Sequence, residues 1–134
     1  MGAGLRDVRK RQEETELIHK LDLGKEVFTP ERCWIAENYG RPEDVAISIA
    51  RARVEPGVTT AWHGLAGTIE RYIIAEGGGR MEVGDLAPTE VGPGDVVVIP
   101  AGVRQRIANV GDKDLVFYCV CTPRFEQKNY RALE

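Results

Sequence analysis

The chain has little of what marks a membrane, disulfide-stapled or nucleic-acid-binding protein. No apolar run approaches the roughly 18 residues that a membrane-spanning helix needs, so no membrane partner is expected. Cysteine is sparse: Cys33, Cys119 and Cys121 are odd in number and lack CxxC spacing, which argues against a disulfide framework or a zinc ribbon. Positive charge is not in excess. The net charge is −3, and no basic stripe alternates with aromatics, so nucleic acid is an unexpected partner. The first 25 residues are dense in charge and have no apolar stretch of the secretory type, so a cytoplasmic location is expected. In a reducing compartment the three thiols act as small, buried, largely apolar side chains.

What is present fits one domain. At 134 residues the chain can bury roughly two-thirds of its unfolded surface and needs no staples. Residues 1–25 differ from the rest. Arg9/Glu13, Lys10/Glu14 and Glu16/Lys20 sit at helical i,i+4 spacing, but apolar positions are few, so a short helical or flexible arm is expected. From Glu31 onward, turn signals recur about every ten residues. Short runs between them suit strands at Arg32–Glu37, Val45–Val54, Thr68–Ala75, Arg80–Val83, Asp95–Ile99, Arg104–Asn109 and Leu115–Cys121. Pro56-Gly57 and Pro93-Gly94 each suit a type II turn, with glycine supplying the positive φ. This pattern predicts an all-β sandwich or barrel over residues 26–122. The tail, 123–134, is expected to pack on the barrel exterior or a subunit seam.

Two segments, Gly57–Gly77 and Gly94–Asn109, concentrate polar side chains at positions a barrel points inward. Strand parity puts Thr68, Glu70, Tyr72 and Ile74 on one face. Val103, Gln105 and Ile107 share another, with Arg104 and Arg106 opposite. An imidazole, a carboxylate and a carboxamide can thus converge in one apolar cavity, a common mark of a binding or active site. Arg51 and Arg53 share a face of the strand before the first motif; inward, they would suit an anionic ligand, and outward they are a solvated face. Trp34 and Trp62 are expected in the core or an interface. Gly77-Gly78-Gly79 lacks a following Lys-Ser/Thr and a helix, so it is a hairpin turn rather than a phosphate loop.

These segments resemble the two signature motifs of the cupin family, a double-stranded β-helix or jelly-roll barrel. The first, G-x5-H-x-H-x3,4-E-x6-G, is matched by Gly57, His63, Glu70 and Gly77, with Leu65 in place of the second histidine. The second, G-x5-P-x-G-x2-H-x3-N, is matched by Gly94, Pro100, Gly102 and Asn109, with Gln105 in place of the histidine. The resemblance implies a metal site, and its remnant here is His63, Glu70 and Gln105. Such a set would hold one divalent ion (Mn, Fe or Zn) more weakly than the full set does.

Three functional readings follow. The first is a metal-dependent isomerase, lyase or oxygenase acting on a small, oxygen-rich molecule. The second is a metal-free, epimerase-type cupin with Glu70 or His63 as general base and Tyr72 as acid. The third is a non-catalytic ligand-binding or sensor barrel, favoured by the loss of two consensus ligands. Gln105 has a plainer role open to it: satisfying Glu70 or Tyr72 by hydrogen bonding. Glu70 itself needs a partner inside a barrel, with His63, a metal, Arg51 or Arg53 as candidates. Small cupins commonly dimerise, so a homodimer is expected.

Overall fold

Runs of β-branched and aromatic residues bounded by glycine and proline turns fold, among the described residues, into eleven strands. The structure, a computed structural model, describes residues 17–134. The arm, expected to be helical or flexible, lies mostly outside the described residues; its described part contains a 3-10 turn, Leu23–Lys25, and a second 3-10 turn, Gln127–Asn129, lies in the tail. The strands are β1 (Val27–Phe28), β2 (Trp34–Tyr39), β3 (Ser48–Val54), β4 (His63–Leu65), β5 (Ile69–Glu76), β6 (Gly79–Val83), β7 (Thr89–Val91), β8 (Val96–Ile99), β9 (Gln105–Asn109), β10 (Leu115–Thr122) and β11 (Tyr130–Ala132).

Two antiparallel sheets form the barrel, ordered β1-β2-β3-β10-β5-β8 and β11-β4-β9-β6-β7. The strand rhythm predicted a sandwich or barrel, and this is the jelly-roll form of it that the motif resemblance implied. Gly57 and Gly94 adopt φ of 79° and 91°, as the two Pro-Gly turns require. Four strands were not legible: β1, β4, β7 and β11 are two or three residues long, too short to show a period of two. The tail is also more than an external wrap. Its strand β11 pairs with β4, Tyr130 opposite Leu65 and Ala132 opposite His63, so the tail completes the second sheet.

Register places the core. Val54, Tyr72, Ile74, Met81, Ile99, Ile107, Leu115 and Phe117 form one buried cluster drawn from both sheets. Each such side chain contributes on the order of 1.5–3 kcal/mol by leaving water. The motif residue Asn109 is structural: its Nδ2 donates to the carbonyls of Val54 and Lys113, and its Oδ1 accepts from Gly111 N–H. It thereby ties the β9–β10 turn to β3.

Arg51 and Arg53 lie on the outer face of β3. Arg53 binds Glu26 at 2.7 Å and Asp114 at 3.3 Å, and Arg51 reaches Glu26 at 3.5 Å. They are structural ion pairs and do not enter the cavity. Trp34 and Trp62 are half-buried on the outside, contrary to a core role. Arg53 packs over Trp34, while Arg104 and Arg106 cover Trp62 at 4.5 and 4.3 Å from its centroid.

Candidate functional site

Between the sheets lies a cavity of about 810 Å³. Its buried end is formed by His63, Glu70, Tyr72, Phe117, Cys119 and Cys121, and its opening by the tail from Arg124 to Tyr130. The loop Thr29–Cys33 adds Glu31 and Cys33 to the wall. The inward face of β5 supplies Glu70 and Tyr72 by parity, and the short strand β4 supplies His63.

Glu70 sits at one end of a hydrogen-bonded relay. The Tyr72 hydroxyl donates to Gln105 Oε1 at 2.6 Å, and Gln105 Nε2 donates to Glu70 Oε1 at 2.8 Å. The Cys121 thiol donates weakly to Glu70 Oε2 at 3.7 Å. Burial pushes the Glu70 carboxyl above its ordinary value, against the lowering effect of the Gln105 hydrogen bond and of His63. Burial likewise holds the Tyr72 phenol well above its ordinary value, with the nearby Glu70 adding to it. Tyr72 therefore stays a hydroxyl that donates into the protein.

His63 is buried and meets different company. Its Nδ1 lies 2.8 Å from the carbonyl of Ala61, which can only accept. Nδ1 therefore carries a proton, and in the neutral ring Nε2 is the nitrogen with the lone pair. Nε2 stands 3.7 Å from Glu31 Oε2, beyond hydrogen-bond reach. Tyr130 stacks on the imidazole with centroids 5.5 Å apart and lines the cavity together with Glu31. Burial raises the Glu31 carboxyl, opposed by His63, Tyr130 and Cys33. The Cys33 thiol is pushed up to about 12, chiefly by burial and then by the charge of Glu31, so it remains an S–H donor to that carboxyl.

The sequence-predicted positions His63, Glu70, Tyr72 and Gln105 are thus brought together, but Gln105 stands behind the wall. It is fully buried, and its amide is engaged at both ends. Leu65, also in the wall, has no donor atom. The residual set does not fit a divalent ion: the carbonyl that would ligate accepts from Tyr72, and the Nε2 and Glu70 donors remain alone. Among the described residues, no three His, Cys, Asp or Glu side chains group as a metal requires. Sequence reasoning missed Glu31 and Tyr130. Both lie outside the motifs, one before the first long strand and one in the tail, and no spacing links them to His63.

Comparison with known proteins agrees with this geometry at the level of fold. The family described as Cupin domain matches residues 50–121. The chain belongs to the cupin family. Among solved structures, a Cupin 2 conserved barrel domain protein from Salinispora arenicola is 24% identical, with 78% of this chain and 87% of that one covered at a TM-score of 0.67. A predicted oxalate decarboxylase from Thermotoga maritima is 22% identical, covering 78% of this cupin and 93% of its own chain at 0.66. Pac13, a nucleoside dehydratase, is 14% identical and covers 87% and 91% at 0.70; the Streptomyces protein has also been solved with uridine. These likenesses establish the barrel alone. A search of curated proteins finds no match.

Proposed function

We propose that this cupin binds a small organic molecule in the barrel cavity and acts on it by proton transfer without a metal. The observation that carries this reading is the relay Tyr72–Gln105–Glu70, which turns the metal-ligand positions into hydrogen-bonded ones and leaves His63 Nε2 as a free base. In such a step Nε2 takes a proton from a substrate carbon, and the electron pair left behind forms a double bond. Glu70, whose carboxyl burial raises above its ordinary value, serves as the acid and gives its proton to the departing oxygen, which leaves as water. Without a leaving group the same pair moves a proton from one carbon to another. Neither course needs an oxidant or a reductant. A fold shared with a nucleoside dehydratase supports lyase chemistry in a barrel of this kind. Tyr72 and Gln105 act as positioning residues for Glu70.

The test is incubation of chelator-treated protein with a library of sugars, nucleosides, hydroxy acids and amines in deuterium oxide, read by NMR. Deuterium uptake or water loss in one compound, abolished by Glu70→Gln and by His63→Ala, is the expected result. A ligand that binds equally well to Glu70→Gln and is never altered would make the protein a binding module. Turnover that stops on chelation would overturn the metal-free reading.

A further inference from the structure

The polar groups of the cavity are unbalanced, and the imbalance says what a ligand must bring. The donors on the two cavity carboxyls come from the protein itself: Gln105 and Cys121 give to Glu70, Cys33 gives to Glu31, and Tyr72 gives its proton to Gln105. On the cavity wall His63 Nε2 has no hydrogen-bond partner within reach, and its side chain is 4% exposed. Beside it, at 3.7 Å, stands Glu31 Oε2. An occupant that brings a donor would give this pair of acceptors the hydrogen bond they do not make with each other.

Charge points the same way. Glu31, Glu37, Glu70 and Glu126 line the cavity, against Arg124 and Lys128. Both cations sit at the opening and share one carboxylate: Arg124 binds Glu126 at 2.7 Å and Lys128 at 3.5 Å. Arg51 and Arg53 are outside, on Glu26. No guanidinium or ammonium from the described residues reaches the buried end.

Glu31 is held in place at some cost. Arg32, the next residue, has φ of 73°, a left-handed conformation that a non-glycine residue adopts only when its surroundings enforce it. Arg32 Nε donates to the carbonyl of Thr59, and its Nη2 donates to Glu134 at 2.8 Å. The backbone turn at Thr29–Cys33 is closed by Thr29 N–H to Cys33 and Arg32 N–H to Thr29. Together these contacts fix the residue that stands opposite His63.

We propose that the buried end of the cavity takes a ligand group that brings N–H or O–H donors and carries no negative charge, held between His63 Nε2 and Glu31, and that Glu31 sets this preference. The inference rests on the proposed binding function and narrows its substrate class to alcohols or amines, excluding carboxylates and phosphates at this end.

Three matched probes separate the possibilities: benzyl alcohol, benzylamine and benzoate. With only two histidines in the chain, the ring nitrogens of His63 are resolvable by nitrogen-15 NMR. The alcohol or the amine is expected to shift the Nε2 resonance of His63, the alcohol alone indicating a hydroxyl ligand and a stronger amine response a cationic one. Benzoate is expected to bind at least tenfold more weakly than the better of the two. Glu31→Gln is expected to remove the discrimination between benzylamine and benzoate while the spectrum of the free protein stays folded. Benzoate binding as tightly as either partner at His63 would overturn the donor preference and leave the pocket intact. No response of His63 to any probe, in wild type or variant, would count against both the preference and the binding function.

Discussion

The two carboxyls of the cavity are built in opposite ways. Glu70 is embedded in β5 between β10 and β8, and its amide partner Gln105 comes from the facing sheet. Its hydrogen-bond partners Gln105 and Cys121 both come from strands, β9 and β10. Glu31 hangs from a turn before β2, and its partner Tyr130 comes from the last strand of the chain. One carboxyl is fixed by the sheets, the other by the two ends of the chain meeting over the same histidine. The barrel therefore sets the chemistry at its floor, while the segments flanking the motif shape what is admitted.

Cutting the relay should have the largest effect. Gln105→Leu leaves the Tyr72 hydroxyl and the Glu70 carboxyl without their shared partner in a dry site, and a loss of about 3 kcal/mol in urea unfolding is expected. A loss below about 1 kcal/mol would mean that the floor is not held as described. On the other side of the comparison, Tyr130→Ala removes the stack on His63 and the electrostatic contact with Glu31. It should cost about 1–2 kcal/mol. It should also erase the distinction between amine and carboxylate probes, because Glu31 is no longer anchored.

The outer ion pairs give a smaller effect with a pH signature. The hydrogen bond from Arg53 is the main reason that the Glu26 carboxyl is held below its ordinary 4.5. Its stabilisation is therefore complete above pH 4.5 and is lost as pH falls through the lower folded value. Glu26→Gln should cost about 1 kcal/mol at pH 7, and the gap from wild type should close on acidification below 4.5. A gap that persists at low pH would show that packing, not charge, carries the contact. Smallest of all, Glu134→Gln weakens the exposed bridge to Arg32 and should leave the urea midpoint nearly unchanged. Any larger change would show that the C-terminus stabilises the turn carrying Glu31.

The same division decides what could be read from the sequence. The long strands announced themselves through alternation, as in Glu70, Tyr72 and Ile74, and through the Pro-Gly turns at Gly57 and Gly94. His63, Glu70 and Gln105 stood at motif spacing, so their convergence was legible. Short pieces were not: His63-Gly64-Leu65 has no room for a period, and Tyr130–Ala132 becomes a strand because β4 offers it an edge. Glu31 meets His63 across 32 residues, and Tyr130 lies 67 residues beyond His63, with no local pattern to join them. The reach of Arg51 and Arg53 was decided by Glu26, the first residue of the segment read as the barrel, just past the arm.

Elemental analysis after incubation with Mn, Fe and Zn, followed by exhaustive desalting, tests the central claim most directly. The relay predicts metal far below one equivalent, unchanged by His63→Ala, and ligand binding indifferent to chelators. One equivalent of metal that disappears in His63→Ala would contradict it, since Gln105 would then have to turn its carbonyl from Tyr72 to the ion.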